Sequence, residues 1–164
     1  MSGLEDLYRE IILDHYRSPR NRGELATPPA HKAEGFNPLC GDEIVVYITL
    51  DDESAGDAAV ITDVAIGGQG CSISQASASM MSAAVKGKTI GEIRSLTHSF
   101  KSMMSIHEGE LEGDGNESTD PDDPDLPLGD LEALRGVVKF PVRIKCATLS
   151  WNTLAQAVDE VVSA

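Results

Sequence analysis

Asn37-Pro38-Leu39-Cys40-Gly41-Asp42 runs into the strand-like stretch Ile44-Val45-Val46-Tyr47-Ile48-Thr49-Leu50. Pro38 stiffens the approach, and Gly41 lets the backbone fold tightly, so that a thiol and a carboxylate two positions apart can face one centre. That is a poor structural choice for a loop but a reasonable metal-binding one. Two ligands cannot hold a tetrahedral ion, so others must come from elsewhere in the chain. The remaining cysteines are Cys71 and Cys146, at similar junctions.

Working outward, Ile44, Val46, Ile48 and Leu50 alternate with Val45, Tyr47 and Thr49 as a strand does. Asp51 to Asp57 reads as a turn, and Ala59 to Ile66 as the returning hairpin partner. Residues 31–36 read as a short edge strand. Gly67-Gly68-Gln69-Gly70 permits a sharp bend from strand to helix and matches no dinucleotide or phosphate loop. The helix that follows runs from Ser72 to about Lys86, its small residues suited to close packing on a sheet. Cys71 falls at its N-terminus, where the helix dipole favours a thiolate.

Before the loop, Leu4, Leu7, Tyr8, Ile11, Ile12 and Tyr16 recur at helical spacing to about Arg17, with Pro19 as the stop. His15 reads as a helix-terminal cation rather than a ligand. After Gly87, a helix opens at about Ile90 and extends through Met103, Met104 and Ile106, the methionines filling gaps in the core. Residues 131–134 fit a helical turn. Val137 to Cys146 leads from a β segment into a last helix starting at about Ala147.

A chain of 164 residues with 41% hydrophobic content is read as one domain, 1–164. No run approaches the roughly 20 apolar residues of a membrane span, and no signal peptide is visible. Three widely spaced cysteines then point to reduced thiols in the cytoplasm. The net charge of −14 is concentrated: Glu108 through Glu132 holds 11 acids and no base, leaving 16 acids against 13 bases elsewhere. Glu108 to about Leu128 reads as an acidic insertion, either a solubilising loop or a dock for a basic partner. Nothing offers phosphate neutralisation, so nucleic acid is not an expected partner.

Two readings fit the cysteine spacing equally. In one, Cys40, Asp42, Cys71 and Cys146 hold a zinc ion as three thiolates and a carboxylate, a centre of formal charge −2 that Arg143 and Lys145 could offset. In the other, the three thiols are unrelated core residues.

Four stretches bear on the choice: Asp14-His15-Tyr16-Arg17-Ser18-Pro19-Arg20-Asn21, Asn37-Pro38-Leu39-Cys40-Gly41-Asp42, Gly68-Gln69-Gly70-Cys71 with Ser72 to Met81, and Arg143-Ile144-Lys145-Cys146. Together they resemble the iron–sulfur assembly proteins of the SufU/IscU/NifU N-terminal family, over nearly the whole chain. Within the group the likeness is to the SufU type. Lys145 stands where IscU proteins carry His, the insertion between the second and third Cys is absent from them, and Phe140-Pro141-Val142-Arg143 does not reproduce their chaperone-binding motif.

The resemblance implies an α+β fold of the SufE/NifU-like kind, a small antiparallel sheet covered by several helices. It also implies zinc on Cys40, Asp42, Cys71 and Cys146, and partnership with a SufS-type cysteine desulfurase and a downstream SufBCD-type scaffold. The activity implied is that of a sulfurtransferase receiving persulfide sulfur, with Cys40 favoured over Cys146 as acceptor. Two alternatives use the same residues: a scaffold for a [2Fe–2S] cluster, and a non-catalytic zinc module that regulates the desulfurase.

Overall fold

The computed structural model describes residues 3–27, 30–38, 41–112, 131–134, 137 and 140–163. Three antiparallel strands in the order β1-β2-β3 form the sheet: β1 His31–Asn37, β2 Asp42–Leu50 and β3 Ile61–Gln69. Among the described residues four α-helices accompany them: α1 Gly3–Arg17, α2 Ser72–Val85, α3 Ile90–Glu112 and α4 Pro141–Ser163. A 3-10 segment, Glu53–Ala58, joins β2 to β3. This is the α+β arrangement expected, a small antiparallel sheet packed against helices.

The pleat of β2 organises the interior. Its even-numbered residues Asp42, Ile44, Val46 and Ile48 are all buried, since alternate residues share one face of a strand. Val64 and Ile66 of β3 continue this apolar layer, and α4 packs over β1 and β2 while α2 packs on α4. Met80 and Met81 of α2 and Met103 and Met104 of α3 are buried, filling core space. Trp151 of α4 lies wholly inside, stacked on Phe100 of α3 with ring centroids 4.8 Å apart.

Three expectations are corrected. The last helix begins at Pro141, so Cys146 lies in its second turn, not at its start. The apolar, β-branched run from Val137 to Ile144 imitates a strand, yet proline at the first helical position has its φ already set and no N–H to leave unpaired. Second, α3 continues to Glu112 and takes in the first residues assigned to the insertion; residues 113–128 of that segment are outside those described. Third, His15 stands in the last turn of α1 as expected, but its side chain is turned inside rather than left at a helix end in solvent. It is 2% exposed, with Nδ1 2.8 Å from Ser79 Oγ on α2.

Ser79 also accepts from the Arg20 backbone N–H at 2.8 Å, and the Ser82 hydroxyl donates to the Arg20 carbonyl at 3.1 Å. Asn21 Nδ2 donates to Ser82 Oγ at 3.0 Å. Buried serines on α2 thus fasten the segment after α1 to the helix that carries Cys71. Buried hydroxyls need such partners, because an unmatched polar group inside costs about 1–3 kcal/mol.

Candidate metal centre

Asp42 is the first residue of β2 and continues its core-facing row, so the strand pleat aims a carboxylate at the helices. Cys71 is the N-cap of α2: its Sγ accepts from the Ser74 N–H at 3.5 Å, taking one of the donors a helix start leaves open. Cys146, in α4, is fully buried. Three elements remote in sequence therefore converge at one end of the sheet.

The ligand atoms of Asp42, Cys71 and Cys146 all lie within 4.8 Å of one another. The Cys71 backbone N–H donates to Asp42 Oδ1 at 2.9 Å, and Cys71 Sγ lies 3.8 Å from Asp42 Oδ2. With metal–sulfur bonds near 2.3 Å and metal–oxygen bonds of about 2.0–2.2 Å, the sulfur–oxygen edge of a tetrahedron is about 3.6 Å, so a small closing movement would make these two atoms ligands of one ion. A carboxylate that is 0% exposed, facing two sulfur atoms, is a donor set in need of a cation. Two thiols and a carboxylate are also the chemistry zinc takes. The trio can hold a metal.

Cys40, the fourth expected ligand, lies outside the described residues. The chain is described on both sides of it. Asn37 pairs with Asp42 across the β1–β2 hairpin, and the Gly41 N–H donates to the Asn37 carbonyl at 2.9 Å. Arg143 and Lys145 are both exposed on α4. Helical spacing puts Arg143, three residues before Cys146, on that cysteine's face and turns Lys145 about 100° away.

Two contributors escaped the sequence reading. Asn37 is 7% exposed, and its Nδ2 comes to 4.0 Å from Cys146 Sγ. Its signal was there, an amide side chain at the last residue of a strand before proline. Gly70 is the other. A Cβ at this position would overlap Asp42 Oδ1 and stand 2.9 Å from its Cγ, so the absent side chain is the room the carboxylate uses. Gly68, at φ 103°, makes the bend that the glycine run announced.

Known proteins place this geometry in a family. The model of the NifU-like N-terminal domain matches residues 7–147, a span that includes Cys40, Asp42, Cys71 and Cys146. The chain belongs to that family. It is 45% identical over 157 residues to the zinc-dependent sulfurtransferase SufU of Bacillus subtilis, covering 96% of this chain and 92% of the relative. The iron–sulfur cluster assembly scaffold protein IscU of Streptococcus pyogenes is 36% identical, with 100% of this chain and 90% of the relative covered. Among solved structures, a proposed iron–sulfur cluster assembly scaffold for the SUF system from Fervidobacterium islandicum superposes with a TM-score of 0.64 at 30% identity. That likeness covers 95% of this chain and 99% of the other. Among the described residues no helix is long and apolar enough to cross a membrane.

Proposed function

We propose that this member of the family is a zinc-dependent sulfurtransferase. It accepts persulfide sulfur from a SufS-type cysteine desulfurase and passes it toward a SufBCD-type scaffold in the cytoplasm. The chain works as one domain, 1–164, with the acidic stretch about 108–128 as an insertion. The observation that carries this reading is the meeting of Asp42, Cys71 and Cys146 within 4.8 Å. The 45% identity over 157 residues to a protein named for the activity supports it.

Cys40, Asp42, Cys71 and Cys146 would hold the zinc, which keeps thiols deprotonated at neutral pH while damping their nucleophilicity. Asp42 would supply the one hard oxygen donor in a mostly sulfur set. Cys71 caps α2 and Cys146 lies inside α4. The family pattern favours Cys40 over Cys146 as the acceptor. The Cys40 thiolate attacks the terminal sulfur of the desulfurase persulfide in line with the S–S bond. A new S–S bond forms on Cys40, the donor's S–S bond breaks, and the donor cysteine leaves as a thiolate. No net oxidation or reduction occurs. Arg143, on the Cys146 face of α4, would bring positive charge toward an anionic centre and an anionic substrate, and Lys145, further round the helix, would add to it at longer range.

Intact-protein mass spectrometry after incubation with desulfurase and cysteine tests this. Wild type gains one sulfur atom, mapped to Cys40 by peptide analysis, and Cys40→Ala gains none. An unmodified wild type that stimulates the desulfurase fully would leave only the regulatory zinc module.

A scaffold for a [2Fe–2S] cluster is the second reading, favoured by a donor set of cysteines with one aspartate and by the scaffold proteins among the relatives. Transfer of an intact cluster from anaerobically reconstituted protein to an apo-acceptor would decide for it.

A further inference from the structure

Arg22 is fastened beside the strand that leads to Cys71. The Ile66 N–H donates to the Asn21 carbonyl and the Gly23 N–H to the Ile66 carbonyl, each at 3.0 Å, so that Arg22 and Ile66 form a parallel bridge at the edge of β3. From this anchorage the guanidinium reaches in two directions. Nη2 donates to the Gly68 carbonyl at 2.5 Å, and Nη1 to Gln75 Oε1 at 2.9 Å. Gly68 lies three residues before Cys71 and Gln75 four after it, with the Gln75 N–H on the Cys71 carbonyl at 3.1 Å. One side chain thus spans the whole turn in which Cys71 sits.

Gln75 adds a second observation. It is only 8% exposed, and its Nε2 is buried with no hydrogen-bond partner among the described residues. An amide in that position costs about 1–3 kcal/mol. Its oxygen is held by Arg22, the one partner of Oε1 among the described residues. On the other side, Gly68 at positive φ is paired with Ile44 of β2, so the contact to its carbonyl ties Arg22 to the sheet itself.

We propose that Arg22 is a positioning residue for the metal centre. Its forked guanidinium fixes the β3–α2 turn from both sides, and so holds the Cys71 sulfur against Asp42. Only arginine offers two such divergent donors on a planar fork; lysine can satisfy one acceptor at a time. This inference rests on the zinc reading, and it makes Arg22 a control on how readily the centre rearranges.

The test uses the full chain loaded with zinc or cobalt, and Arg22→Ala, Arg22→Lys, Gln75→Leu and the Arg22→Ala/Gln75→Leu double variant. Zinc release to a chromogenic chelator should quicken about tenfold or more in Arg22→Ala, the scale on which supporting groups act on metal affinity. Arg22→Lys should fall between, and the two alanine and leucine changes should be less than additive because they cut one link. The thiolate-to-cobalt absorption band should shift in Arg22→Ala, a change that mere loss of stability does not produce. Release rates and cobalt spectra equal to wild type in both Arg22 variants would overturn the proposal. If wild type bound neither metal, the zinc reading would fail on its own. The brace would then be judged by alkylation of Cys71 in metal-free protein, faster in Arg22→Ala if Arg22 holds the turn and unchanged if it does not.

Discussion

Cys71 meets Asp42 twice, through its backbone N–H on Oδ1 at 2.9 Å and through its sulfur 3.8 Å from Oδ2. The same carboxylate therefore orders the turn and faces the donor atoms. Asp42→Asn separates these roles, keeping an oxygen for the N–H while removing the charge. Zinc per chain, read by elemental analysis, should drop to well below half of wild type. The metal-free variant should be more stable than metal-free wild type by about 1 kcal/mol, because a buried carboxylate lacking a cation is unfavourable. At this chain length that is a rise in Tm of about 2–4 °C.

Gly70→Ala should weaken metal binding without opening a cavity. The new methyl would overlap Asp42 Oδ1 and lie 2.8 Å from Ser74 Oγ, so the carboxylate must turn away from the sulfur atoms. Competition against a zinc chelator should show about 10–100-fold weaker binding. Circular dichroism should show unchanged helix content. Unchanged affinity would mean the carboxylate can shift without leaving the ion.

Trp151→Phe and Trp151→Ala should differ sharply. The indole is fully buried against Phe100, and its Nε1 has no hydrogen-bond partner among the described residues. Phenylalanine keeps the ring contact and removes an unmatched donor, so urea unfolding should place it within about 1.5 kcal/mol of wild type. Alanine should cost about 3–5 kcal/mol through the cavity.

Acid should loosen the contact between β1 and α4. His31 Nε2 is 2.7 Å from Glu160 Oε1, and this hydrogen bond, followed by one from Gln156, holds the Glu160 carboxyl below its ordinary value of 4.5. A carboxyl lowered by folding adds stability above its unfolded value, and that contribution is lost as pH falls through the folded one. Melting curves below about pH 4.5 should thus fall less steeply for Glu160→Gln than for wild type. Identical slopes would mean solvent screens the pair completely.

How far the chain could be read depended on whether local chemistry agreed with the tertiary arrangement. The alternation through Ile44, Val46 and Ile48 was plain because one strand face is buried. Cys71 was placed at a helix start because the glycines before it and the small residues after it agree with the bend they make. The burial of His15 was not legible because its environment comes from Ser79, 64 residues away, which no local pattern reports. The start of α4 was missed because Val142 and Ile144 favour strands, while packing against the sheet outweighs so weak a preference. Arg22 is the same case: its partners at Gly68 and Gln75 are adjacent only in the folded chain.

Asp42 occupies the same strand face as Val46 and Ile48, so the centre and the apolar interior are parts of one rigid surface. Filling the centre would therefore add a restraint at the end of β2, the strand that also carries the core. Amide deuterium uptake deep in that strand would act as a distant gauge of occupancy, slow when the centre is filled and quickening as it empties, even though no atom there touches metal.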